Sequence, residues 1–445
     1  LLSLDELAVL FKQHTTDKML KFREIMQSLN IERLVIASGE TKTRYADDMS
    51  YPFKASPYFR EWLPLDLRSD CFIVLENEHQ PILYLYEHND FWHSVPPSLP
   101  KGWESNFIVK LYKEKNTVFS RSTLAADSTV FLGPENSFDV ESKQYNPEVL
   151  CRSIDLLRQR KSPYEQYCIK HANELAVVAH QAAKNSFYAK GSELDIKLAF
   201  LSGAKQNEHE LPYDIIAGVN ENAAILHHKH ASVIRPDMSR SMLIDAGVSF
   251  HSYASDITRT YAYDHQCEFA NILADMDVLQ QRIVDEVKPG TTYAALNEFT
   301  HIALATLLSM HKIVTLSAEE TFTKGITKTF MPHGFGHGLG VNVHERGAGL
   351  RSVDGERYRR SDFGFEQKLN DGEVITVEPG LYFIPMLLDK LLVEHAGSIN
   401  IDKINALIPY GGIRIEDNIL VKQDGGFENY TRDAFKAFEH KNTTR

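Results

Sequence analysis

Apolar residues at Leu7, Leu10, Phe11, Phe22, Ile25, Met26 and Leu29 recur at helical spacing, which predicts an amphipathic helix over about 4–29. The paired threonines at 15 and 16 predict a break within it. Short apolar runs follow at Arg33–Ala37, Cys71–Leu75, Ile82–Tyr86, Phe107–Tyr112 and Val130–Leu132, each bounded by Gly, Pro, Asn or Asp as strands are. One helix and several strands define a compact α/β unit ending near Asn146–Pro147. A new pattern begins at Ser162, where S-P-Y-E reads as a capping box opening a helix that runs to about Ala189 and stops at Gly191. Ser192, with Asp195 three residues on, opens another. Strand-like stretches then dominate from Ile215 to Tyr263, helices from Glu268 to Met310, and strands again from Val341 to Leu420. The expected fold class is α+β: a small α/β N-terminal domain, 1–150, and a larger domain, 151–445, rich in antiparallel sheet.

Composition adds limits. A chain of 445 residues with 43% apolar residues can bury a sizeable core, and its length fits two or three domains. The net charge of -12 argues against nucleic acid or an anionic membrane as the partner. Four scattered cysteines form no C-x-x-C pair, so neither a disulfide framework nor a thiolate zinc site is expected, and a cytoplasmic location follows. No basic stretch precedes an apolar block at the start, so no signal peptide is expected, and no apolar run spans a bilayer.

The chemistry lies in five clusters. The run S-M-L-I-D-A-G puts Asp245 at a strand end, and A-S-D-I-T-R-T puts Asp256 in a polar–apolar alternation. If the connection turns near Phe250–His251, the two carboxylates become near-opposite cross-strand neighbours, an arrangement that calls for a proton or a metal. His333, His337 and His344 stand among Gly334, Gly336, Gly338 and Gly340, which exclude a stable helix and admit close backbone approach. Glu378 shares a strand face with Thr376; Glu416 shares one with Arg414, while Ile413 and Ile415 point into packing. Four carboxylates and one imidazole form an oxygen-rich ligand set suited to Mn²⁺, Co²⁺ or a similar divalent ion, and their charge suggests two ions.

These blocks, D-A-G, D-I-T-R-T, H-G-F-G-H-G-L-G-V-N-V-H-E, V-E-P-G-L-Y-F and G-G-I-R-I-E-D-N, resemble the metal-site blocks of the pita-bread metallopeptidases. The best match is the bacterial Xaa-Pro dipeptidase (prolidase) group, which includes the organophosphorus acid anhydrolases. The resemblance implies a pita-bread catalytic domain and two divalent metal ions per subunit, with Mn²⁺ expected. Asp256 and Glu416 would bridge them, Asp245 would complete one, and His337 and Glu378 the other. It implies that His344 polarises the scissile carbonyl, that Glu378 accepts a proton, and that His227, His333 and Arg414 meet the substrate. Tyr213 and Tyr293 would line the pocket, and Asp48 and Trp92 would reach the active site of the other subunit of a homodimer. The implied reaction is hydrolysis of Xaa-Pro dipeptides, with side activity on organophosphorus triesters and fluoridates. The alternatives are an aminopeptidase acting on longer Xaa-Pro peptides and a metal-free binding protein of the same fold. One block departs from the pattern: where prolidases carry an arginine for the dipeptide carboxylate, this chain has Gly364, with Arg359 and Arg360 nearby.

Overall fold

The computed structural model describes residues 2–88, 90–93, 99–100, 102–114, 128–134, 144–345 and 367–443. The chain divides into two compact units, one reaching Arg158 and adding Ser162–Tyr167, the other formed by Gln159–Lys161 and the chain from Cys168 onward.

The first unit opens with the helix Leu4–Ser28, started by a capping box between Ser3 and Glu6. Its buried face, Leu7, Phe11, His14, Thr15, Met19, Phe22 and Met26, keeps three- and four-residue spacing. The expected break is absent. Thr15 Oγ1 donates to Phe11 O and Thr16 Oγ1 to Lys12 O, so the helix carbonyls absorb both hydroxyls. Phe11 stacks on Trp103 with ring centroids 3.9 Å apart, and Phe22 meets Trp62 edge-on. The strands form one mixed sheet, in spatial order Ile108–Tyr112, Ile82–Tyr86, Phe72–Glu76, Arg33–Ala37 and Thr129–Leu132.

Both predicted capping boxes form: Ser162 with Glu165 ahead of the helix Pro163–Tyr188, and, in the second unit, Ser192 with Asp195 ahead of the helix Glu193–Ala204. The helices Glu268–Asp285 and Tyr293–Met310 bury Phe269, Ile272, Met276, Leu304 and Leu308 against strand residues Ile375, Val377, Ile413, Ile415 and Ile419. One sheet holds Thr258–Ala262, Ser241–Asp245 and Ile216–Val219; another holds Val374–Val377, Asp417–Val421 and Phe427–Asn429. A two-stranded ribbon pairs Gly380–Tyr382 with Gly412–Arg414. The region read as strands from Val341 to Leu420 also contains two helices, Pro385–His395 and Ile401–Leu407. Pro385 fits the first helical turn of one, and the Asn400 side chain caps the other. Single bridges, Thr258 with Glu416 and Gly338 with Ile375, stitch the sheets and the histidine-bearing loop together. The chemistry sits at these seams.

Candidate active site

Asp245 ends its strand opposite Thr258, and the ladder continues through Ala246 with Ile257 and Val248 with Ser255. Asp256 therefore faces Gly247, and the two carboxylates are diagonal neighbours, not the near-opposite pair expected from the sequence. The hairpin turns at His251 and Ser252, both with left-handed backbone (φ 47 and 72). A Cβ on Gly247 would lie 1.9 Å from Ser255 O, so only glycine allows this approach. Gly336 has the same constraint against Thr376 O, also 1.9 Å from a built Cβ. That contact sets the next candidate ligand, because His337 N–H donates to Thr376 Oγ1 and Thr376 N–H to His337 O.

His337 is 2% exposed and its Nδ1 lies 3.1 Å from Gly338 O, a partner that can only accept. Nδ1 carries the proton of the neutral ring, and the Nε2 lone pair faces Asp256 Oδ2 at 3.4 Å and Glu378 Oε1 at 3.6 Å. A lone pair aimed at two carboxylates is repulsive unless a proton or a cation lies between them. Ligand atoms of Asp256, His337 and Glu416 all lie within 4.8 Å of one another. Asp245 Oδ2 accepts from Arg414 Nη2 at 2.6 Å, while its Oδ1 is buried with no hydrogen-bond partner among the described residues.

The charge balance agrees. Burial, then the charges of Asp256, Glu378 and Asp245, push the Glu416 carboxyl well above its usual range. Burial also raises Asp245, with Arg414 opposing. Burial disfavours charge on Asp256 too; with a proton on His337 Nε2 standing in for a cation, that ring's hydrogen bond and charge, with the Tyr213 hydroxyl donating at 2.5 Å, hold it low. An orphaned carboxylate oxygen, an imidazole lone pair facing oxygens and mutually repelling buried acids fit divalent cations.

These groups open on a cavity of 630 Å³ lined by Asp245, Asp256, His333, His337, Glu378 and Glu416, together with His227, His344, Tyr213 and Arg414. The His344 ring lies 4.2 Å from that of His337. Arg414 is largely committed: Nη2 goes to Asp245, Nε to Thr258 Oγ1 at 3.0 Å and Nη1 to Tyr382 Oη at 2.9 Å. A chain of donors continues from it. The Tyr382 hydroxyl donates to His333 Nε2 at 2.9 Å, because His333 Nδ1 must donate to Gly334 O at 2.8 Å. Burial keeps the Tyr382 hydroxyl protonated, its pKa pushed up to about 12.

Tyr293 departs from expectation. It starts a helix within the apolar core and packs against Phe335, and it is absent from the described lining. A tyrosine's apolar body suits a core as well as a pocket, and here the core holds it. Asp48 and Trp92 are exposed residues of the first unit, Trp92 to 78%. Gly364, Arg359 and Arg360 lie outside the described residues. A second group, half-buried His88 with exposed Asp90 and His93, lies in the first unit, where both imidazoles turn to the Asp90 carboxylate.

Several residues went unread in the sequence. Asn418 clamps Asp256 by its backbone: Oδ1 accepts from Asp256 N–H at 3.0 Å while Nδ2 donates to Asp256 O. Thr258 Oγ1 donates to Glu416 Oε2 at 2.7 Å. Two-residue alternation from Asp256 would have put Thr258 on the site face; nothing local marks Asn418 as a clamp.

Comparison with known proteins agrees with this geometry. The model of metallopeptidase family M24 matches residues 167–423, and that of the Xaa-Pro dipeptidase N-terminal domain matches residues 9–156. The Xaa-Pro dipeptidase of Aeromonas hydrophila is 39% identical over 434 residues, covering 96% of this chain and 98% of the relative. That of Pseudoalteromonas translucida is 38% identical over 441 residues, covering 97% and 99%. Zinc-substituted aminopeptidase P of E. coli, solved in complex with product, superposes with a TM-score of 0.70 at 21% identity, covering 94% of this chain and 95% of that one. The chain belongs to metallopeptidase family M24 and, within it, to the bacterial Xaa-Pro dipeptidase (prolidase) group. Its catalytic domain has the pita-bread fold.

Proposed function

We propose that the protein hydrolyses Xaa-Pro dipeptides with two divalent metal ions, Mn²⁺ in the native enzyme, held by Asp245, Asp256, His337, Glu378 and Glu416. The observation that carries this reading is the convergence of four carboxylates and the Nε2 lone pair of His337 on one cavity, in a chain similar over nearly its whole length to Xaa-Pro dipeptidases. When bound, the ions supply an activated water and a Lewis acid for the scissile carbonyl.

The protein's own groups do the rest. Glu378 accepts the proton released as water adds to the carbonyl carbon and passes it to the proline nitrogen as the C–N bond breaks. His344 donates to the carbonyl oxygen as negative charge develops there, and His227, also in the cavity lining, meets the substrate. Arg414 holds Asp245 in place through its Nη2 and completes the substrate pocket with His333. The same groups accept a tetrahedral phosphoryl centre, which supports side activity on organophosphorus triesters and fluoridates. The N-terminal domain, residues 1–150, carries Asp48 and Trp92 to the active site of a second copy in a homodimer. With four free cysteines, the protein works in the cytoplasm.

A substrate panel on Mn²⁺-loaded enzyme tests this: Leu-Pro, Leu-Pro-amide, an Xaa-Pro tripeptide and a phosphotriester. Leu-Pro should give the highest kcat/KM. Preference for the tripeptide would overturn the dipeptidase reading in favour of an aminopeptidase.

A further inference from the structure

Beyond Val219, which ends its strand, the chain up to Ser232 contains one short 3-10 turn, Asn220–Ala224, and no strand, yet it presents Leu226, His227 and Lys229 to the cavity. One carboxylate outside the site gathers it. Glu193, at the start of the helix Glu193–Ala204, is 3% exposed. Its Oε1 accepts from Val219 N–H and Asn222 Nδ2, both at 2.9 Å. Its Oε2 accepts from His228 Nε2 at 2.8 Å and Ser232 N–H at 2.9 Å. Four donors thus saturate the carboxylate, one near each end of the segment and two between them. Although burial opposes charge here, the donors, led by Ser232 N–H, hold the Glu193 carboxyl below its ordinary range.

We infer that Glu193 is a positioning residue for the substrate: its carboxylate fixes the 219–232 segment so that His227 faces the reacting peptide. The inference rests on the substrate role proposed for His227. His228 is bound to the clamp, so the backbone that carries His227 beside it is held at the cavity wall. A glutamine at 193 has the same shape but must turn an NH₂ toward at least one backbone N–H, either Val219 or Ser232, and that contact is repulsive.

A double-mutant cycle on Leu-Pro hydrolysis, with metal content and thermal unfolding followed in parallel, tests the inference. His227→Ala should lower kcat/KM about 100-fold and Glu193→Gln about 30-fold, both with metal content unchanged. The double variant should be no worse than His227→Ala by more than about threefold, because the clamp acts through that histidine. If Glu193→Gln does not fold, His228→Ala and Asn222→Ala each remove one arm, and the same cycle is run on them. Losses that multiply, to about 3,000-fold, would make Glu193 a general structural residue and overturn the inference alone. A silent His227→Ala would remove the substrate role of that histidine and take the inference with it.

Discussion

Glu416 and Asp417 are neighbours in the chain, 2% and 0% exposed, and their surroundings are opposite. Asp417 points into a cage where Arg259 Nη2 and Arg432 Nε each donate at 2.7 Å, Asn429 Nδ2 at 2.9 Å and Gln280 Nε2 at 3.0 Å. Against its burial, the two guanidinium groups hold its carboxyl below the ordinary range. Glu416, on the other face, meets three more acids and one threonine hydroxyl, and its proton is held tightly. One buried carboxylate is satisfied by the protein and the other is not. The first holds the seam between sheets together; the second has a demand that a cation meets.

The comparison breaks first on metal. Exhaustive chelation should abolish activity, and Mn²⁺ should restore it at about two equivalents per chain. Glu416→Gln should lower kcat by about 10³-fold or more with metal content reduced. Full activity after chelation would remove the distinction between the two acids.

Asp417→Asn should act on stability instead. It leaves Arg259 and Arg432 without their shared counter-charge and costs about 3 kcal/mol in unfolding free energy, read by denaturant titration. The pH dependence has a definite sign. A depressed folded pKa makes the Asp417 contribution present above its unfolded value of 3.8 and lost as pH falls through the folded value. Between about pH 2 and 5 the variant's stability should therefore fall less steeply than the parent's. An equally steep acid limb in both would contradict the cage.

His344→Ala should reduce kcat about 100-fold while two metals remain bound, separating a substrate-facing histidine from a ligand. Metal loss in that variant would reassign it. The smallest effect belongs to Thr258→Val, which deletes a neutral donor on Glu416 and should cost about tenfold in kcat/KM at unchanged fold. An unaffected variant would leave that hydrogen bond without a role.

The acids that crowd the site were legible because each lies in a short alternating stretch, where period-two reasoning assigns a face. Ile413 and Ile415 against Arg414 and Glu416 is the clearest case: the isoleucines join the core and the polar pair lines the cavity. The Asp417 cage was not legible. Arg259, Gln280, Asn429 and Arg432 come from separate elements, and no periodicity links them before the chain folds. The diagonal offset of Asp245 and Asp256 also escaped, since register depends on where the hairpin turns, and His251–Ser252 lies one residue beyond the assumed corner.

That hairpin has a kinetic consequence. Asp245 and Asp256 belong to adjoining strands of one local ladder, whereas the Thr258–Glu416 contact closes a loop of 158 residues. A short hairpin forms in about 1–10 μs, but so long a closure waits on the rest of the domain and carries a larger entropy loss. Early on the folding pathway the chain holds two of the five proposed ligands and has little affinity for a divalent ion. Stopped-flow refolding with Mn²⁺ present should therefore show metal capture only in the slowest phase, and capture within the dead time would mean that the distant glutamates arrive early.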